Sequence, residues 1–111
     1  MFPKGLLVGL LLTTMLCGAQ LHRALAQDDA DPVAGRTLAK TWCDSCHVVD
    51  PAQQRATSTG APTFVAIAGM KSTTSPALHA FLQTPHDRMP DLHLTRNEID
   101  DLVSYILSLK R

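Results

Sequence analysis

Apolar residues near the end of the chain recur at helical spacing and predict an amphipathic helix. They lie three or four positions apart, which places them on one face: Ile99, Leu102, Val103 and Ile106. Directly before them, Thr95 and Glu98 have the spacing of a capping box, in which each side chain binds a backbone N–H group of the first turn. The pattern therefore predicts a C-terminal helix that begins after Thr95.

A second helix is predicted in the segment of the sequence that leads up to Trp42. Asp31 and Pro32 suit its N-cap and its first position. Gly35 lowers the helix propensity of this segment, and two explanations are open. Either another helix approaches closely at this residue, or a short helix simply tolerates the glycine.

A third, short helix is predicted from Pro76 to Thr84, with Ser75 as N-cap and Pro85 as the stop. Three apolar residues are expected to face inward from it: Leu78, Phe81 and Leu82. Polar composition predicts loops at 52–60 and 71–75. No alternating run is long enough for a sheet, so the pattern predicts an all-α fold.

The first 26 residues are typical of an export signal. Lys4 precedes an uncharged apolar run at 6–17 that is too short to span a bilayer. Ala24-Leu25-Ala26 then fits the small-residue rule for signal peptidase, which predicts a mature chain beginning at Gln27. Cleavage after Ala19, or retention of the segment as an anchor, are the alternatives.

The predicted mature chain, residues 27–111, forms one slightly acidic domain. The whole chain has ten basic and ten acidic residues, and loss of Lys4 and Arg23 leaves eight basic against ten acidic. Phosphate binding requires clustered Lys and Arg, which are not seen, so a nucleic-acid partner is not expected. A chain of 85 residues is near the size at which a core alone is marginal, so we expect an additional covalent constraint.

Cys43-Asp44-Ser45-Cys46-His47 offers such a constraint, because C-x-x-C-H is the spacing that attaches haem c. In a helical segment, positions i, i+3 and i+4 share one face, so both sulfurs and the imidazole would point to one side. Thioether bonds from Cys43 and Cys46 would fix the porphyrin edge while His47 binds the iron. The motif therefore predicts one covalently bound haem.

Three other interpretations of the cysteine pair are open. A thioredoxin-type redox pair follows a strand, and no strand-like run precedes Cys43. Half of a zinc site would need further ligands, for which only the scattered His79, His86 and His93 are available. A plain disulfide would suit an oxidising compartment. Haem attachment uses the pair and the following histidine together.

The iron ligand opposite His47 is expected to be Met89. This residue lies in a proline-stiffened loop between the last two predicted helices, from which its thioether could reach the other haem face. Met70 is only 23 residues beyond His47 and is expected to fill the core. His86 and His93 are rival ligands, and a haem with two histidines would have a lower reduction potential.

Together these residues resemble the class I cytochromes c, a soluble bacterial and mitochondrial family with one haem. The resemblance covers essentially all of the mature chain and rests on Gly35, the 43–47 motif, Gly60-Ala61-Pro62, Met89-Pro90 and Leu102-Val103-Ser104-Tyr105. It implies a small cytochrome c fold, with three to four helices wrapped around one covalently bound haem.

The resemblance also implies two contacts. Pro62 would offer its carbonyl to the Nδ1 hydrogen of His47, and the last helix, near Tyr105, would cross the first at Gly35. The chain departs from the family at Ala39, where an aromatic residue is usual. Trp42 and Leu38 are the candidates to fill that volume.

By the same resemblance, the protein is expected to be a periplasmic electron carrier and not an enzyme. His47 and Met89 would leave no open iron position. We expect a monomer whose partners are periplasmic redox proteins such as a dehydrogenase, an oxidase or a reductase, and which meets the membrane only through them. Two other classes are open: a haem enzyme subunit or gas-binding protein with a labile sixth ligand, and a haem-free thiol protein.

Overall fold

The computed structural model describes residues 29–56, 60–86 and 88–111, and within these ranges it contains four α-helices and no strand. They are α1 (Pro32–Trp42), α2 (Phe64–Gly69), α3 (Ser75–Leu82) and α4 (Arg96–Ser108). The all-α prediction is confirmed. No helix in these ranges is long and apolar enough to cross a membrane. The predicted signal segment, residues 1–26, and its cleavage site lie outside the described residues.

Side-chain caps fix where α1 and α4 begin, as predicted. Asp31 is the N-cap of α1, and its carboxylate accepts the N–H of Val33 at 2.8 Å. At the start of α4, the Thr95 N–H donates to Glu98 Oε2 at 2.8 Å, and the Glu98 N–H donates to Thr95 Oγ1 at 3.4 Å. These bonds satisfy N–H groups that a first helical turn otherwise leaves without partners.

The most extensive contact between two helices joins α1 and α4, which cross at Gly35. A Cβ at this residue would lie 2.5 Å from the carbonyl carbon of Asp101 and 2.9 Å from Cβ of Tyr105. Side chains do not approach a backbone so closely, so only glycine fits here without a shift of one helix. The predicted close approach is confirmed. Asp101 also accepts the backbone N–H of Asp31 at 2.7 Å, which ties the start of α1 to α4.

One face of α4 provides much of the core. The apolar residues predicted from helical spacing are buried, together with Tyr105. Other parts of the chain complete the cluster: Ala39, Cys43, Val49, Phe64, Ala68 and Leu78. Leu38 packs against this cluster, whereas Trp42 is 57% exposed. Of the two candidates for the volume beside Ala39, only Leu38 contributes to the core.

The sequence pattern does not predict α2. Thr63 caps this helix by accepting the N–H of Ala66 at 3.1 Å, and its buried residues are Phe64 and Ala68. A helix of six residues is less than two turns long, so it has too few apolar positions to show a helical period. Met70 caps the C-terminal end of α2 and is 46% exposed, so the prediction that it fills the core is wrong.

The third predicted helix is present as α3, with shifted ends. Its N-cap is Thr74 and not Ser75, because the Thr74 hydroxyl accepts the N–H of Ala77 at 3.3 Å. It ends at Leu82, two residues before the predicted end at Thr84. Neighbouring Thr and Ser residues are nearly equivalent as caps, so the sequence leaves this boundary open.

The inward face of α3 is narrower than predicted. Leu78 is buried and Leu82 packs against the core, but Phe81 is 49% exposed. Its ring stacks on the imidazole of His86, with ring centroids 3.7 Å apart. The prediction that Phe81 faces inward is therefore wrong, because this ring finds its partner in the loop after α3.

An ion pair joins α3 to α4. His79 Nε2 lies 2.6 Å from Asp100 Oδ1, and Nδ1 lies 2.8 Å from the Ser75 carbonyl oxygen. Both ring nitrogens face acceptors, so the imidazolium form is favoured. The hydrogen bond to Asp100, followed by the one to Ser75, raises the pKa of His79 above its ordinary value.

Gly35→Ala is expected to lower the free energy of unfolding by about 1–3 kcal/mol, because the added methyl group forces two backbones apart. The better helix propensity of Ala recovers at most about 1 kcal/mol of this. Urea denaturation of the mature protein measures the change. Gly69→Ala is the matched control: no atom lies within 4 Å of its Cβ position, so stability should hold or rise slightly. Equal losses for both variants would contradict the crossing.

The His79–Asp100 pair is expected to make stability depend on pH. Because the folded pKa of His79 is raised, the stabilisation is present below the ordinary histidine range and is lost as pH rises through the folded pKa. Both side chains are about a third exposed, so the effect should be that of a surface pair, about 0.2–1 kcal/mol.

Denaturation midpoints measured from pH 5 to pH 9 test this expectation. Asp100→Asn should flatten the loss of stability above neutral pH. His93→Gln, at an 86% exposed side chain, should leave the pH dependence unchanged. The same slope in the Asp100→Asn variant as in the unaltered protein would refute the role of the pair.

Candidate functional site

The C-x-x-C-H motif forms a helical turn directly after α1. Cys43 is the C-cap of this helix, with its N–H bonded to the Ala39 carbonyl at 2.9 Å. The N–H groups of Cys46 and His47 both donate to the Cys43 carbonyl, at 3.2 and 2.9 Å. The helix itself ends at Trp42, but the bond from His47 to Cys43 has the i to i+4 spacing of an α-helix. This turn places the three motif side chains within one helical turn of each other.

The two cysteines differ in burial. Cys43 is 6% exposed and belongs to the core, whereas Cys46 is exposed. In the described part of the chain both are thiols, and no disulfide joins them. Burial, with smaller contributions from Asp44 and Cys46, raises the pKa of Cys43 to about 11.

A thioredoxin-type function fits this environment poorly. Attack on a disulfide requires a thiolate, and the low-pKa cysteines of such proteins lie at helix N-termini, where the helix dipole stabilises negative charge. Cys43 lies at the opposite end of α1, next to the carbonyl groups of its last turn. This position disfavours the thiolate.

The imidazole of His47 is held by one hydrogen bond. Its Nδ1 lies 2.7 Å from the carbonyl oxygen of Pro62, the contact that the family resemblance implies. A carbonyl oxygen only accepts, so Nδ1 carries the proton and donates. In the neutral imidazole, the other ring nitrogen, Nε2, then carries the lone pair. A neutral imidazole in this tautomer is the form that binds a metal ion, and a carbonyl partner on Nδ1 orients the ring.

The segment that carries Pro62 is itself fixed against the motif. The Phe64 N–H donates to the Val48 carbonyl at 2.9 Å, which links the residues after His47 to those after Pro62. The Phe64 ring packs 5.5 Å from the imidazole, centroid to centroid, at 58°. It also lies 6.4 Å from the Tyr105 ring of α4. The core therefore supports one side of the imidazole directly.

Polar contacts fix the residues that follow His47 in the chain, and sequence reasoning missed these contacts. Gln53 Oε1 accepts the N–H of Val49 at 2.9 Å, and the Tyr105 hydroxyl donates to the Val49 carbonyl at 2.8 Å. Gln53 Nε2 donates to the Arg55 carbonyl at 2.9 Å and more weakly to the His47 carbonyl at 3.4 Å. No local pattern indicates these contacts, because they depend on how the loop folds back.

A buried carboxylate lies three residues beyond His47. Asp50 is 5% exposed, and its Oδ2 accepts from Arg36 Nε at 2.8 Å and lies 3.7 Å from Lys40 Nζ. Oδ1 accepts the Ala52 N–H at 3.0 Å. The bond to Ala52, followed by that to Arg36, lowers the pKa of Asp50. The cluster ties this loop to the exposed side of α1.

The candidates for a sixth ligand lie in different surroundings. Met89 is half-buried in the irregular segment between α3 and α4, whereas Met70 ends α2. His86 has its Nε2 bonded to the Phe81 carbonyl at 2.6 Å. His93 is 86% exposed, with Nδ1 3.4 Å from an oxygen of Asp91. Within residues 29–56, 60–86 and 88–111, no three His, Cys, Asp or Glu side chains form a group that could hold a metal ion.

Comparison with known proteins assigns the chain to a family. Residues 32–110 match the cytochrome c family. The chain belongs to this family. It is 43% identical to cytochrome c-552 of Bradyrhizobium diazoefficiens over 81 residues, which is 73% of this chain and 77% of the relative. No solved structure gives a significant match. Membership implies haem-based electron transfer, and the two thiols have the spacing of a haem c attachment motif.

The residues present fit a cytochrome c haem. Cys43 and Cys46 provide two thiols one helical turn apart, and His47 provides an imidazole whose Nε2 would be the nitrogen that binds the iron. The buried position of Cys43 would bring one thioether bond into the core, while Cys46 lies at the surface.

Proposed function

We propose that this protein is an exported one-electron carrier with one haem c attached to Cys43 and Cys46. His47 and Met89 would be the two residues that bind the iron. When bound, the haem supplies an Fe(III)/Fe(II) couple that takes up and releases a single electron. With both residues bound to it, the iron would have no open position for a substrate, so the protein would serve as a carrier and not as an enzyme.

The bond from His47 to Pro62 is the observation that carries this proposal. It selects the tautomer with a lone pair on Nε2 and orients the ring with a backbone acceptor that cannot titrate. A histidine that served only the surface would not need a fixed tautomer. The neighbouring thiols and the family membership supply the rest of the support.

Met89 is the candidate best suited to the other axial position. His86 is bound to Phe81 through Nε2 and stacked on its ring, and both nitrogens of His79 have partners. His93 has a strongly exposed side chain. Met89 is half-buried in the segment between α3 and α4, and a thioether favours the reduced iron and so raises the reduction potential.

The proposed location is the periplasm, reached through the signal segment at residues 1–26. The mature chain carries about two more acidic than basic residues, which suits encounters with other redox proteins and not with nucleic acid. We propose that it acts as a monomer between a dehydrogenase and an oxidase or reductase.

Spectra of the purified mature protein are expected to show a c-type pyridine haemochrome. The oxidised form should have the far-red band of an iron–methionine bond, and this band should persist with low cyanide or nitric oxide. Met89→Ala is expected to abolish the band and open the iron to these ligands. Met70→Ala, the matched control, should retain it.

Other spectroscopic outcomes distinguish the remaining functions. Rapid ligand binding by the unaltered protein would contradict the function of electron carrier and would indicate a haem enzyme subunit or a gas-binding protein. A persistent band in the Met89→Ala variant would assign the sixth ligand to another residue. Colourless protein whose two thiols both react with an alkylating reagent would contradict haem attachment altogether.

Export is expected to yield a chain that begins at Gln27. Mass spectrometry of protein recovered from the periplasm measures the start, and Ala26→Lys should block processing because signal peptidase requires a small residue there. A chain beginning at Gln20 would move the cleavage site to follow Ala19. Protein that retains Met1 and stays in the membrane would contradict cleavage.

A further inference from the structure

Val49 is the most firmly held residue beside the proposed axial histidine. It is 1% exposed, and both of its backbone polar groups are bonded to side chains. Gln53 Oε1 accepts its N–H at 2.9 Å, and the Tyr105 hydroxyl donates to its carbonyl at 2.8 Å. One partner comes from the same loop and the other from α4, 56 residues away.

These contacts lie two residues from the imidazole and are coupled to it by the backbone. Val48, between them, accepts the Phe64 N–H at 2.9 Å, and Phe64 stands two residues beyond Pro62. Gln53 Nε2 also approaches the carbonyl of His47 itself, at 3.4 Å. Movement of Val49 would therefore move the His47 backbone relative to the Pro62 carbonyl.

We propose that Gln53 and Tyr105 are positioning residues for the axial imidazole. By binding the N–H and the carbonyl of Val49, they hold His47 where its Nδ1 donates to Pro62 at 2.7 Å. This inference rests on the proposed binding of haem iron by His47, and it assigns to two uncharged side chains a part in setting the reduction potential.

The direction of the effect follows from the Nδ1 bond. A strong bond to a carbonyl increases the basicity of the imidazole, and a more basic ligand stabilises Fe(III) relative to Fe(II). Release of Val49 would lengthen the bond from Nδ1 to Pro62, and His47 would then donate less electron density to the iron. The reduction potential should then rise, and the Nδ1 proton should exchange with solvent more readily.

Three variants of the haem-loaded protein test the proposal. Gln53→Met keeps the side-chain length and removes all three polar contacts of the amide, with Val49, Arg55 and His47. Tyr105→Phe keeps the ring and removes only the hydroxyl, so the core packing against Phe64 is retained. The double variant tests whether both residues act through the backbone of Val49. Gln54→Met is the matched control, since Gln54 is exposed and adjacent in sequence.

The measurements are the reduction potential by redox titration and the exchange rate of the His47 Nδ1 proton by NMR. Each single variant should raise the potential and accelerate exchange several-fold, and the double variant should change both by less than the sum of the single effects. Gln54→Met should change neither. If Gln53→Met does not accumulate, the Tyr105→Phe variant carries the same test through the carbonyl of Val49.

A purely structural role gives a different result. If both variants lower the denaturation midpoint while the potential and the Nδ1 exchange rate stay at the values of the unaltered protein, the proposal is overturned and the haem assignment stands. An unaltered protein without a haem spectrum would instead remove the proposed function itself. The two failures are therefore distinguishable by the spectrum of the unaltered protein.

Discussion

The contact of α1 with α4 at Gly35 sets the geometry on which the site depends. Cys43 is the C-cap of α1, and α4 places Tyr105 at the crossing itself. The separation of these helices therefore fixes how far the attachment motif lies from the side chain that binds Val49. A larger residue at Gly35 would push the two backbones apart and so change the distance from the motif to Tyr105. A glycine twelve residues before the imidazole therefore constrains the site.

From this crossing a short series of contacts leads to the imidazole. Tyr105 packs against Phe64 and bonds to Val49, Phe64 packs against His47, and Pro62 accepts the Nδ1 hydrogen. Each contact joins a different segment of the chain. If His47 binds the iron as proposed, such a frame would favour electron transfer, because a ligand that is already held in place would change little when the iron gains or loses an electron. The core of this small domain thus serves stability and chemistry with the same residues.

Sequence predicted the parts of the fold that are encoded locally. The capping box at Thr95 and Glu98, the cap at Asp31 and the C-x-x-C-H spacing each lie within five residues, so their geometry follows from short-range chemistry. The residues alone leave the reason for Gly35 open, since close approach depends on a residue of another helix. The family resemblance implies the crossing, and the structure shows it.

The failed predictions concern residues whose surroundings helical spacing does not describe. Phe81 has the right spacing to face inward, yet it stacks on His86. Helix α2 is too short for a period, and it forms because a threonine caps it and Phe64 is buried in the core. The part played by Gln53 has no sequence signal, because a glutamine in a polar loop is ordinarily solvated.

Polar contacts help to determine the path of the loop after His47. The buried Asp50 carboxylate would be costly without partners, but Arg36, Lys40 and the Ala52 N–H surround it. Its backbone carbonyl accepts the Gln53 N–H at 2.9 Å, so this turn brings the Gln53 side chain to Val49. Among the described residues, no buried side-chain nitrogen or oxygen lacks a partner.

A network satisfied in this way favours one conformation, because any other arrangement leaves a buried donor or acceptor without its bond. An apolar loop of the same size could repack at little cost and leave the orientation of His47 variable. The charged cluster at Asp50 and the amide of Gln53 therefore act in sequence. The first fixes the turn, and the second transmits that fixed position to the backbone beside the imidazole.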